Sequence, residues 1–170
     1  IQVHPDDKTA KERHNAYGKT EMWYMVDAAP EASLVLGFNR QTDASEYMQF
    51  LNQNRLTAFL HVEPALKDDC FFIPAGLVHA IRKGCFIAEI QQTSDITYRI
   101  YDYDRKDAAG NKRELHTELA TDVIDYNYHP THKVRFTPKD NQAVKLVDCP
   151  YFTTSLFSLT RPVDRDYISI

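Results

Sequence analysis

Apolar residues fall along this chain in short runs. MWYMV (22–26), SLVLGF (33–38), CFFIP (70–74), VHAI (78–81), CFIAEIQQ (85–92) and ITYRIYDYD (96–104) have strand length and are rich in β-branched and aromatic residues. AVKLVDC (143–149), YFTTSLFSLT (151–160) and RDYISI (165–170) continue the pattern towards the end of the sequence. Turn-forming pieces separate them: DAAPEA, Gly76, Gly84 and the TSD of 93–95. Three stretches read as helix instead. Residues 6–14 are polar and open on an Asp at a capping position. Residues 42–60 place Tyr47, Met48, Leu51, Leu56, Phe59 and Leu60 on an apolar face behind Thr42 or Asp43, across one helix or two short ones. Residues 115–126 (LHTELATDVIDY) repeat the pattern. Many short strands with few helices predict a mainly β protein: an antiparallel barrel or jelly roll with helical insertions at about 42–60 and 115–126.

At 170 residues the chain is long enough for one real core and a piece of another. We expect a core over 1–135, and over 136–170 the start of a following β segment that would open a second barrel. The net charge of −4 is evenly spread, with 9 Lys and Arg against 11 Asp and Glu over 1–85 and 11 against 13 over 86–170. That spread excludes a polyanion-binding surface while leaving room for a local pair of cations to hold one phosphate, so no nucleic acid partner is expected. No apolar run reaches the ~20 residues of a membrane span. Cys70, Cys85 and Cys149 form no CxxC and stand in apolar company, which predicts buried reduced thiols and a reducing, cytoplasmic setting.

Four pieces carry candidate chemistry. In an extended segment Gln2 and His4 point to one face, although a lone QxH also suits a polar surface strand. In GKTEMWYM, Lys19, Glu21 and Trp23 share a face; an inward ammonium and carboxylate must be paired or liganded. An ion pair at a barrel mouth satisfies that equally. DDCFFIPAGLVHAI resembles the second motif of the cupin barrels, P-x-G-x-x-H: Pro74 ends a strand, Gly76 permits the turn, and His79 returns facing inward. Gln2, His4, Glu21 and His79 make a mixed N/O set suited to a divalent ion such as Zn²⁺, and two His with one carboxylate equally suit non-haem Fe(II). In EIQQTSDITYRIYDYDR, Glu89 and Gln91 share one face and Thr97, Arg99, Tyr101 and Tyr103 another. Arg99 then either faces the metal group or pairs outside with Asp102 or Asp104. His129 and His132, in a Pro-containing loop, and His116, beside Glu118 at a helix start, read as structural, and His14 and His61 have no evident partner.

Taken together, QVHPDD, GKTEMWY, PAGLVHAI and EIQQTSDITYRIYDYDR resemble the short bacterial form of the type I mannose-6-phosphate isomerases, in order and over roughly residues 1–105. The resemblance implies a zinc-dependent cupin that interconverts mannose 6-phosphate and fructose 6-phosphate through an enediol. It implies Gln2, His4, Glu21 and His79 as ligands of one Zn²⁺ per chain, Arg99 as the active-site residue, and Lys19 and Glu89 as catalytic or substrate-binding pocket residues. It further implies a sugar phosphate as partner, no membrane, and a monomer or weak homo-oligomer. Two positions depart from the family: its usual Gly before the FF strand is Asp68 here, and Ile81 replaces the Tyr that eukaryotic members carry. The family's short form is longer at both ends, so the chain reads as a fragment with little or no activity of its own. A non-catalytic sugar-phosphate-binding cupin and an iron oxygenase on the same barrel are the rival expectations.

Overall fold

A computed structural model describes residues 1–164, and the chain divides into two units, Ile1–Lys133 and the part from Val134 onward. The first begins with β1 (Gln2–Val3) and α1 (Asp7–His14), whose first turn is capped by Asp6 accepting from the Thr9 N–H at 2.8 Å. β2 (Glu21–Ala28) and β3 (Ser33–Phe38) follow. Next come α2 (Ala44–Asn52), a 3-10 turn (Leu56–Phe59) and β4 (Leu60–Pro64). β5 (Cys70–Ile73), β6 (His79–Ile81), β7 (Cys85–Gln91), β8 (Tyr98–Arg99) and α3 (Thr117–Ala120) complete the unit. One sheet has the order β4-β3-β6-β1-β8 and a second β5-β2-β7, all antiparallel. The expected mainly β architecture with short helices is what the chain adopts.

β3 explains the layering. All six of its residues are buried, although a strand covered on one side alone would alternate. Leu34 and Leu36 pack with Trp23, Met25, Phe71 and Ile73 of the smaller sheet. Val35 and Phe38 turn the other way, onto Tyr47 of α2, Leu56 and Phe59 of the 3-10 turn, and Ile124. Each such fully buried apolar side chain contributes about 1.5–3 kcal/mol. The same alternation sorts the neighbouring strands. Val3, Val78, Tyr98 and Ile100 belong to the helix-side cluster, which leaves Gln2, His79 and Arg99 facing the space between the sheets.

Several elements are shorter than the sequence pattern predicts. Residues 42–60 break at Asn54, which takes a left-handed φ of 54°, and resume as the 3-10 turn and β4. The 115–126 helix is a single turn, because the Asp125 N–H is drawn to Gly76 O at 2.8 Å. ITYRIYDYD gives only β8: Tyr103 and Asp104 are left-handed (φ 54° and 53°) and turn the chain out of the sheet. Of the three thiols only Cys70 is buried; Cys85 and Cys149 are half-buried, and none forms a disulfide. Asp68 adopts φ 69°, a conformation that Asp tolerates better than most residues.

In the second unit, β9 (Ala143–Asp148) and β10 (Thr153–Phe157) form an antiparallel hairpin with a register shift between Thr154 and Ser155. Asn141 Oδ1 accepts from the N–H groups of Thr160 and Arg161. RDYISI lies outside the described residues. Among the described residues no helix is long and apolar enough to cross a membrane.

Candidate metal centre and adjoining cavity

The segment after β1 is a hub for the other motifs. Gly18 lies so close to it that a Cβ would stand 2.5 Å from the backbone of Asp6 and Asp7. The Gly18 N–H donates to Asp7 Oδ1 at 2.8 Å and the Lys19 N–H to Pro5 O at 3.2 Å, which delivers Lys19 and Glu21 to this place. From the other side the Gly76 N–H, in a left-handed turn (φ 89°), donates to His4 O at 2.9 Å. Strand register does the rest. Gln2 is paired with His79 on β6 and with Arg99 on β8, so these three side chains are cross-strand neighbours on one face. In the smaller sheet Trp23 is paired with Glu89.

The result is a buried cluster. His4, Glu21 and His79 offer ligand atoms all within 4.8 Å of one another, and each residue is at most 1% exposed. His4 Nδ1 lies 2.9 Å from Ile96 O and His79 Nδ1 2.8 Å from Leu77 O. A carbonyl only accepts, so both Nδ1 atoms carry their protons and the neutral rings turn Nε2 lone pairs inward. His4 Nε2 is 3.2 Å from Glu21 Oε1, and His79 Nε2 is 3.9 Å from Oε2. Ligand atoms around a tetrahedral ion with bonds of ~2.0–2.1 Å stand roughly 3.3 Å apart, so these residues fit a divalent ion. Oε2 accepts from Trp23 Nε1–H at 3.1 Å. Oε1 is buried and accepts no well-directed hydrogen bond, although Lys19 Nζ is only 2.7 Å away. Gln2 completes the group: its amide nitrogen lies 3.1 Å from His79 Nε2 and 3.5 Å from His4 Nε2. A half-turn of the amide would offer oxygen to the same point.

Electrostatics agree with the geometry. Burial opposes ionisation of Glu21, but the carboxyl is held at about 2, with the Lys19 ammonium 2.7 Å away favouring its charge. His79 is pulled down to about 3, by burial first and then by His4, so it is a neutral imidazole. Glu89 is pushed the other way, upward, by burial and by the charge of Glu21, with Lys19 opposing from 3.9 Å.

A cavity of about 290 Å³ opens beside the cluster, lined by Gln2, Trp23, His79, Ile81, Glu89 and Arg99. Arg99 therefore faces inward; its Nη1 donates to Glu114 O at 3.1 Å, and neither Asp102 nor Asp104 is its partner in that bond. Ile81 contributes hydrocarbon to the same lining. Arg105 and Arg113 line this cavity as well. The sequence pattern singles out neither of them; the one local signal is Asp102, three residues before Arg105. A larger cavity of about 460 Å³ contains none of the cluster residues. Three other histidines find local roles: His116 Nδ1 accepts from the Arg99 N–H at 3.2 Å, His14 Nε2 is 2.7 Å from Tyr98 OH, and His129 sits beside Asp125.

No family model matches the chain. It is 37% identical, over 94% of its length, to the mannose-6-phosphate isomerase ManA of Bacillus subtilis, and covers 51% of that protein. A mannose-6-phosphate isomerase of Streptococcus mutans is 35% identical over 96% of the chain, which covers 52% of it. The crystal structure of a Bacillus subtilis mannose 6-phosphate isomerase superposes with a TM-score of 0.81 at 32% identity, over 90% of this chain and 49% of that one. A phosphomannose isomerase from Salmonella typhimurium shares the fold at 11% identity, with a TM-score of 0.62 over 86% of this chain and 56% of that one. The chain thus spans about half the length of the curated relatives it matches.

Proposed function

The chain is a homologue of the mannose-6-phosphate isomerases, and from that premise we propose that it carries the metal centre of an aldose–ketose isomerase acting on mannose 6-phosphate and fructose 6-phosphate. The observation that supports this most is the convergence of two Nε2 lone pairs and a buried carboxylate beside a cavity that also holds Glu89 and Arg99. His4, Glu21, His79 and Gln2 would hold one Zn²⁺, which when bound supplies electrophilic polarisation of substrate oxygens.

The reaction moves a proton between C2 and C1 of the open sugar through an enediol. Glu89 is the proposed base. Its carboxyl is held above the usual range, which raises its affinity for a carbon-derived proton. Arg99 stabilises the enediolate oxygen with a fixed charge. Lys19, 2.7 Å from Glu21 and 3.9 Å from Glu89, stands between the metal group and the base and orients a substrate oxygen there. The setting that goes with this reading is cytoplasmic, with a monomer or weak homo-oligomer and a small sugar phosphate as the sole partner.

Metal analysis run beside a coupled isomerase assay tests the proposal. Stoichiometric zinc with little turnover by these 170 residues alone is the expected result, and in a protein that carries them at the relatives' full length isomerisation should fall by about 10²–10³-fold in Arg99→Ala. Near-normal turnover in Arg99→Ala would remove its assigned role. Binding of mannose 6-phosphate without any turnover at that full length would favour a sugar-phosphate-binding module, and bound iron with O₂-dependent product would favour an oxygenase.

A further inference from the structure

Asp102 is a nearly buried carboxylate, 7% exposed in its side chain, that holds two guanidinium groups which remain 62% and 51% exposed. Arg105 donates to Oδ1 from Nε at 3.1 Å and from Nη2 at 2.5 Å. Arg113 grips the same carboxylate from the far side of the loop, with Nε 2.7 Å from Oδ2 and Nη2 on Oδ1. Each guanidinium thus uses two of its five N–H groups on Asp102 and keeps three free. Asp102 does not line the cavity beside the metal group, yet both of its partners do. With Arg99 that wall carries three cations against one carboxylate, Glu89. Three guanidinium groups against two carboxylates, Glu89 in the wall and Asp102 behind it, leave the wall net positive, and planar forks with free N–H groups match a phosphate.

We propose that Asp102 is a positioning residue: it presents Arg105 and Arg113 to the cavity as a paired subsite for the phosphate of a sugar phosphate. The inference rests on the reading of this cavity as a sugar-phosphate site and specifies which residues take the anionic end. Asp102 touches no substrate; it acts through the two arginines. Removing its charge frees both forks and leaves their mutual repulsion uncompensated.

The test is calorimetric titration of the full 170-residue chain, zinc-loaded, with mannose 6-phosphate and with inorganic phosphate. Asp102→Asn is expected to weaken both by tenfold or more while zinc stoichiometry stays at that of the unmodified chain, with partial recovery in Asp102→Glu. Arg113→Gln, at a half-exposed position that should not disturb folding, is expected to give the same loss. Retention of phosphate affinity in Asp102→Asn or Arg113→Gln would overturn the inference and leave the sugar-phosphate reading standing. Parallel loss of zinc and phosphate in Asp102→Asn, unmatched by Arg113→Gln, would reduce Asp102 to a structural role. Failure of the unmodified chain to bind mannose 6-phosphate would overturn the underlying reading and the inference with it.

Discussion

Nε2 of His4 and Oε1 of Glu21 face each other across 3.2 Å, both side chains 1% exposed. With His4 Nδ1–H held by the Ile96 carbonyl, Nε2 is the ring atom turned to the carboxylate, and a cation between the two atoms would satisfy both. We therefore expect the chain to take up one divalent ion, and Glu21→Gln to lower its affinity by more than about 100-fold, the upper range for losing an outer partner of a ligand. Competition with a chelator of known affinity measures this; an unchanged constant would remove Glu21 from the ligand set.

Trp23 tests the support of that carboxylate. Its indole is buried against Leu34, Phe71 and Ile73, and its N–H is the hydrogen-bond donor to Glu21 Oε2. Trp23→Phe keeps most of the packing and leaves Oε2 without that donor, which should cost about 1–3 kcal/mol. Urea unfolding of the two proteins gives the difference, and a loss below 0.5 kcal/mol would mean that another donor takes over.

Gly18 is the point at which two motifs touch. The Cβ of an alanine would press on the backbone of Asp6 and Asp7 at 2.5 Å, where no flexible side chain can yield. Gly18→Ala should therefore destabilise by about 1–3 kcal/mol and weaken metal uptake at the same time. A variant with wild-type stability would show that the turn relaxes freely.

Much of this arrangement was legible in the residues. Period-two counting put Gln2 with His4 and left Arg99 either facing the metal group or pairing outside, and the turn chemistry of Pro74 and Gly76 announced an inward His79. The chain does bring these side chains together. What escaped were features that only long-range packing creates. β4 is an edge strand of five residues ending in Pro64, with too little alternation to stand out. The helix expected over 115–126 gave way to the pull of Gly76 on Asp125. Arg105 and Arg113 were not singled out, because nothing local shows that both converge on Asp102.

Asp102 also gives a pH signature. Arg113 and Arg105 hold its carboxyl well below the usual range against opposing burial. A lowered folded-state pKa stabilises fully above the unfolded value of about 3.9, and that contribution is lost as pH falls through the folded one. The stability gap between the unmodified chain and Asp102→Asn should be constant from pH 7 to about 5 and shrink below about 4. Chemical denaturation at each pH reads it; a gap independent of pH would mean that the charge of Asp102 is not what stabilises the loop.

The thiols differ in a way that alkylation can read. Cys70 is fully buried and its thiol is pushed up to about 11, by burial first and then by Asp69, whereas Cys149 is half-buried. Iodoacetamide at neutral pH should modify Cys149 well before Cys70, which should react only on unfolding. Peptide mass spectrometry over time gives the order, and early modification of Cys70 would indicate that β5 opens in the native state.

The larger sheet runs β4-β3-β6-β1-β8, and its second strand from the edge is two residues long. Among the described residues β8 pairs in that sheet with β1 alone, and Gln2 is the residue registered against both Arg99 and His79. Damage at this keystone cannot be graded. A change that unseats two residues removes part of the candidate metal group and detaches the cationic wall in a single event, so binding of the metal and binding of the anion should fail together.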